Sequence, residues 1–265
     1  MSMQQVCPIV PNAVSGIYYP NMVLGLHCDG SNGGTGFPDD SYNNATATVI
    51  TNAQTATSDY KFGTASGRFT GPADNGANSY NGRTGRPHIL FPDIADYDLS
   101  DRTKDATLHF WYKAGDTSAK RQIIMGNGHP FHFSGYGGGW TIQQSTTGTI
   151  QFYLISSTGS SILSKNSTAT VSTSAWIHVA VVLRWTGSTR QCDLYMDGVK
   201  QSSTVSSTAF AGSPTADLRI GVALKQGNLD YLSYPGNFYI DDIVLQNGTA
   251  QWPSSNFTPP SLPFA

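Results

Sequence analysis

The sequence contains no glutamate: all 17 of its acidic residues are aspartate. Glutamate supports helices, whereas aspartate favours caps and turns, so the chain tilts away from helix. Charge of either sign is scarce. Asp, Lys and Arg make up only 12% of the chain, about half the usual share. Solubility therefore rests on Ser, Thr, Asn and Gly. The net charge is −2, and no basic patch suits a nucleic-acid backbone, so nucleic acid is set aside as a partner. No run of about 18 apolar residues occurs, and no membrane insertion is expected. Met1–Gly16 lacks the cationic start and apolar block of a Sec-type signal peptide. Cysteine is rare and odd in number, at Cys7, Cys28 and Cys192. Their spacing matches no metal knuckle, so reduced thiols in a chain made in a cytosol are expected. No phosphate-cradling or dinucleotide-binding fingerprint is present.

What is present points to strands. Thirteen Tyr and 12 Phe accompany many Val, Ile and Thr, the residues that suit a pleated surface. Residues 1–20, with Pro8, Pro11 and Pro20, read as an extended arm. Pro8, Pro11, Tyr18 and Tyr19 are its candidate partner-anchoring positions. Residues 21–265 read as one domain. Candidate strands fall near 22–28, 46–51, 66–70, 88–91, 106–113, 121–126, 131–134, 139–144, 149–155, 176–185, 191–196, 217–222 and 238–245. Short strands at such spacing, parted by Gly, Asn, Asp and Pro, indicate an all-β sandwich or barrel. In Ala106–Lys113, alternation puts Leu108, Phe110 and Tyr112 on one face and His109 and Trp111 on the other. In Trp176–Trp185 both faces are apolar, the mark of a central strand. Asp197-Gly198, between Cys192–Met196 and Val199, predicts a type I′ hairpin. No helical crossover is visible, so the sheets should be antiparallel.

Taken in order, these segments resemble the laminin-G-like jelly roll of the concanavalin A-like lectin/glucanase superfamily. The residues that carry the resemblance are Leu26-His27-Cys28-Asp29-Gly30, Lys61-Phe62-Gly63-Thr64-Ala65-Ser66-Gly67-Arg68-Phe69 and Phe91-Pro92-Asp93 through Leu99. They continue with Ala106–Trp111, Trp176–Val182, Leu194–Val199, Leu218–Gly221 and Tyr239–Ile243. The close, Asn256-Phe257-Thr258-Pro259-Pro260, is similar to a tail common in the phage and bacterial branch. The resemblance implies an antiparallel two-sheet jelly-roll sandwich. It also implies one structural Ca²⁺ near the first and last strands, for which Asp29, Asp241 and Asp242 are the candidate side chains. The alternative is a turn at Asp29-Gly30 and an Asp241 that satisfies backbone donors.

Strand alternation sends Asp241 and Asp242 to opposite faces. They then cannot share one scissile bond at the ~5–9 Å separation of glycosidase carboxylates. The enzymatic branches resembled rely on a Glu-rich strand, which this chain lacks, so no catalytic residue is expected. Glycan-binding candidates come from two segments. Gly126–Trp140 offers His129, His132, Tyr136 and Trp140, since aromatic faces and imidazoles suit sugar recognition. The stretch 225–237 offers Asn228, Asp230, Tyr231 and Tyr234 in a loop. Core packing and an ordinary solvated connection are the competing explanations. His178 reads as a structural histidine.

The resemblance, the arm and the uncharged polar surface imply a non-enzymatic structural or attachment protein of a bacteriophage virion. It would be a capsid decoration, head fibre or tail component, made in the host cytoplasm. The expected partners are other virion proteins through the arm, surface glycans, and further copies of the chain, with a trimer favoured. The alternative is a bacterial carbohydrate-binding module or extracellular lectin.

Overall fold

The computed structural model describes residues 16–71, 86–99, 103–115, 121–128, 138–156, 161–208, 217–224, 232–233, 236–252 and 254–265. They build two facing sheets. The larger runs in the order β13 (Val199–Ser206), β12 (Arg190–Met196), β11 (Ile177–Trp185), β6 (Ala106–Ala114), β17 (Asn237–Asn247), β4 (Ser66–Thr70) and β3 (Gln54–Ala56), with β1 (Met22–Leu26) also paired to β17. The smaller runs β10 (Ser161–Thr170), β9 (Thr149–Ile155), β8 (Gly139–Gln144), β7 (Gln122–Gly126), β14 (Leu218–Ile220), β5 (His88–Phe91) and β2 (Thr48–Ile50). A small pair, β15 (Ala223–Leu224) and β16 (Leu232–Ser233), completes the set. Every pairing of these strands is antiparallel, as expected. Among the described residues the one helical element is a 3-10 turn at Ala95–Tyr97, and no helix is long and apolar enough to cross a membrane.

The core lies between the sheets. Leu108, Phe110 and Tyr112 enter it from β6, as alternation predicts, with Val179, Val181 and Leu183 from β11. Trp140, Ile142, Ile150 and Phe152 meet them from the smaller sheet. Each such side chain contributes roughly 1.5–3 kcal/mol by leaving water. Cys28 and Cys192 are free and buried in this layer. Cys7 lies outside the described residues.

The outer face of the larger sheet is covered too where β11 and β12 lie, which explains why β11 is apolar on both sides. Ala180, Val182 and Tyr195 lie under Ala250, Trp252 and Phe257 of the C-terminal tail. The tail is tied to the β12–β13 hairpin. Asp197 and Gly198 both have positive φ, 49° and 72°, as a type I′ turn requires. The Phe257 N–H donates to the Gly198 carbonyl. A Cβ added to Gly198 would lie 1.9 Å from the Phe257 carbonyl oxygen, so this glycine serves both the turn and the docked tail. Farther along, Phe264 packs with Tyr19 and Val244, and Ile17 forms a parallel bridge with Phe264.

Two expectations change here. Tyr19, expected to be a partner-anchoring residue of the arm, is instead buried against the ring of His109, 4.8 Å away. A ring so enclosed offers nothing to a partner, whereas Tyr18 beside it is 77% exposed. Pro8 and Pro11 lie outside the described residues. The second change concerns β17. Its first half pairs with β4 and its second half with β1, and the register against β6 shifts between Asp241 and Val244. A bulge absorbs the change of partner, and Asp242 takes φ 48° there. Ile240 and Ile243 both face the core. Asp241 and Asp242 therefore share the outer face, not opposite faces, because the bulge inserts one residue into the alternation.

Candidate functional site

The bulge places two carboxylates where they organise backbone. The Asp241 Oδ2 accepts the N–H groups of Lys61 and Phe62 at 2.8 and 3.0 Å, and Oδ1 accepts the Asp242 N–H at 3.0 Å. Burial pushes the Asp241 carboxyl up to about 8, against those N–H bonds and with help from the neighbouring Asp242. Asp242 accepts the Phe264 N–H and lies 3.4 Å from His27 Nδ1. Asp29 accepts the N–H groups of Thr64 and Ala65 at 2.5 and 3.1 Å. These are the three residues expected to hold Ca²⁺, which takes about six to eight oxygen ligands. Most of their oxygens are already engaged. The Asp241 oxygens and Asp29 Oδ1 face N–H donors, and burial favours neutral carboxyls at the bulge. Among the described residues no three His, Cys or acidic side chains gather where a metal could be shared.

What Asp241 fixes is the loop 59–62, and that loop builds a surface. Phe62 stands edge-on to Trp111, with centroids 5.9 Å apart. Lys61 Nζ sits 3.8 Å from the centroid of the Trp111 ring, a cation–π contact. Asp59 binds the Lys113 ammonium and accepts the Trp176 Nε1–H at 2.8 Å. Tyr60 is 45% exposed.

Cross-strand register supplies the rest. Arg68 on β4 lies opposite Tyr239 on β17, which lies opposite Lys113 on β6. All three point outward, since Phe69, Phe238 and Tyr112 beside them point into the core. The Arg68 guanidinium lies 4.4 Å over the Tyr239 ring and donates to the carbonyls of Phe69 and Phe238. Trp176 meets Tyr239 at 6.4 Å and 63°. The result is a row, Arg68–Tyr239–Lys113–Trp176, of half-buried side chains. Its rings are held by neighbours and polar heads flank them. Such rings suit the apolar face of a pyranose, and the flanking groups suit its hydroxyls.

Of the glycan-binding candidates singled out in the sequence, Trp140 alone falls among the described residues, and it does not join this surface. Trp140 is fully buried, packs on Phe152 and donates its Nε1–H to the Tyr97 carbonyl. It is core, not a sugar platform, because it shares the inner face of β8 with Ile142. His129, His132, Tyr136, Asn228, Asp230, Tyr231 and Tyr234 lie outside the described residues. Sequence reasoning missed Asp59, Tyr60, Lys61, Arg68, Lys113, Trp176 and Tyr239. For Arg68, Lys113, Trp176 and Tyr239 the available signal was parity: an aromatic or cation at the outward position of a strand already recognised.

A family model described as the concanavalin A-like lectin/glucanases superfamily matches residues 83–252. No curated protein matches the sequence. Solved structures do match in fold. The binding domain of Paraclostridial Mosquitocidal Protein 1 aligns with TM-score 0.59 at 15% identity, over 88% of this chain and 50% of that one. The botulinum neurotoxin serotype D binding domain aligns with TM-score 0.55 at 16% identity, over 90% and 49%. The binding domain of botulinum neurotoxin DC in complex with SialylT aligns with TM-score 0.56 at 13% identity, over 90% and 49%. The chain spans about half the length of each of these structures. At such identities the likeness is one of fold.

Proposed function

Because the chain belongs to the concanavalin A-like lectin/glucanases superfamily, we propose that it is a non-catalytic, lectin-type domain that binds glycans on the outer face of its larger sheet. The observation that carries this reading is the Trp176–Tyr239 pair, held edge to face between Arg68 and Lys113. Immobilised rings bind at little entropic cost, since their rotamers are already set. The fold neighbours add support of a general kind: one is a binding domain in complex with SialylT, and another bears the description of cell entry dependent on two ganglioside molecules. The buried aspartates supply no catalytic pair, for the Asp241 oxygens already serve the backbone.

Glycan-array screening followed by calorimetry tests the reading. Trp176→Ala and Tyr239→Ala are each expected to weaken binding about 30-fold, the ~2 kcal/mol of a hot spot. Trp176→Phe should retain most of the affinity. An array blank at high protein concentration, or binding indifferent to both alanine variants, sinks the assignment.

We place this domain on a bacteriophage virion, as a head or tail attachment component assembled in several copies. The support is the surface poor in charge, the Pro-containing arm and the resemblance of the tail to the phage branch. Ile17 is bonded to the C-terminal tail. Removing residues 1–15, which leaves that contact in place, is expected to abolish incorporation into particles while leaving the sandwich folded. Copy number on purified particles is the measurement, and normal incorporation of the truncated chain rejects the anchoring role.

A further inference from the structure

The charges on the aromatic row are unbalanced. Arg68 and Lys113 stand in it, Lys61 lies beside it over Trp111 on the same face of β6 as Lys113, and Asp59 is committed to Lys113 and Trp176. Among the described residues no carboxylate pairs with Arg68 or Lys61. Each instead rests on a ring, Arg68 over Tyr239 and Lys61 over Trp111. A π face attracts a cation without neutralising it. The hydrogen bonds of Arg68 use Nη1 alone, toward Phe69 and Phe238, so the Nε and Nη2 edge has no partner among the described residues. That planar edge matches a carboxylate in bidentate geometry. The chain as a whole carries a net charge of −2, so this concentration of positive charge is local.

We propose that the row selects carboxylate-bearing sugars, of the sialic or uronic acid type, over their neutral counterparts. The proposal rests on the glycan-binding reading and specifies its ligand class. Arg68 takes the carboxylate, Lys61 adds to the local positive field, and Trp176 and Tyr239 take the apolar ring face. A neutral sugar leaves both cations uncompensated.

The test uses the full chain and two matched pairs of probes: sialyllactose against lactose, and oligogalacturonate against its methyl ester. In at least one pair the charged member should bind tenfold or more tightly. That advantage should shrink in 0.5 M salt, because partly exposed charges are screened. Lys61→Gln, at a half-buried loop position, and Arg68→Gln should each lower the charged member's affinity more than the neutral member's. Equal affinity within both pairs overturns the proposal and leaves the glycan-binding reading intact. Failure of all four probes also overturns it, and an additional blank glycan array removes the underlying reading as well.

Discussion

Asp193→Ala should destabilise the fold by about 3 kcal/mol, the lower end of the range for stripping one partner from a buried ion pair. Asp193 stands on the outer face of β12 with no exposed surface. Around it gather the Arg184 Nη1, the Lys200 ammonium at 2.9 Å, the Gln191 amide at 2.9 Å and the Tyr195 hydroxyl at 3.4 Å. Burial opposes its charge, yet bonds from Ser203, Gln191 and Lys200 hold its carboxyl below the usual aspartate value. The sign follows: the stabilisation is present above the unfolded aspartate value and is lost as pH falls through the lowered folded one. Both cations also reach the tail, Arg184 to the Trp252 carbonyl and Lys200 to the Ser254 carbonyl. Without Asp193 they are left partly buried beside each other. Chemical denaturation should show the loss, and limited proteolysis should cut first near residues 249–257. In Tm it corresponds to roughly 6–12 °C for a chain of this size. Asp193→Asn should fall between wild type and the alanine variant. A loss below 1 kcal/mol for Asp193→Ala would falsify the clamp.

The second large effect concerns acid. His109 and His178 touch beneath the tail, with Nδ1 and Nε2 3.3 Å apart. Tyr19, Trp111, Trp252 and Phe257 enclose them. Burial lowers His109 to about 3, and burial, then His109, then Lys61 hold His178 well below the ordinary histidine value. The folded chain therefore keeps both neutral while the unfolded chain takes up two protons below about 6.5. Their contribution to stability is intact above 6.5 and declines as pH falls from there toward the folded values, by at most about 2.7 kcal/mol per pH unit for two protons. Other groups push the opposite way. Burial raises Asp241 and Asp242, and bonding to Asp242 raises His27 despite its burial. These three favour the folded chain on acidification, so the wild-type profile sums opposing slopes. The histidine part is read by difference. His109→Gln/His178→Gln is expected to lose stability at pH 7.5 but to gain steadily on the wild type from pH 6.5 to 5. Parallel profiles over that interval would show that the pair does not govern the response.

How far this was legible in the sequence depended on which face of a strand carried the signal. β6, β11 and β17 were readable because their inward positions are mostly Leu, Ile, Val and aromatics, and β12 because Cys192, Leu194 and Met196 alternate before Asp197-Gly198. β10 and β13 went unread as strands. They lie at sheet edges, and Ser and Thr fill much of their alternation. A period of two written in hydroxyls leaves no hydropathy trace. β3 is three residues long, too short for any pattern. The bulge was hidden for another reason. It arises because β17 changes neighbour from β4 to β1, and a partner exchange is not a property of the Asp241-Asp242 dipeptide. The surface was less legible still. Arg68, Lys113, Trp176 and Tyr239 are far apart in the chain and meet through pairings of β4, β6 and β17. Trp140, which carried a strong local aromatic signal, is drawn into the core instead.

The parallel bridge between Ile17 and Phe264 has a mechanical consequence. A pull applied at Gly16 enters the fold at that bridge, passes Tyr19 and loads β1 along its length. β1 begins beside Gln246, toward the C-terminal end of β17, while Tyr239 lies near the other end. Tension between residue 16 and a ligand held at Tyr239 therefore runs along β17, drawing β1 lengthwise past it. Antiparallel hydrogen bonds lie perpendicular to that direction, so they share the load together instead of opening one by one. The strand that presents the ring is thus paired with the one that takes the pull.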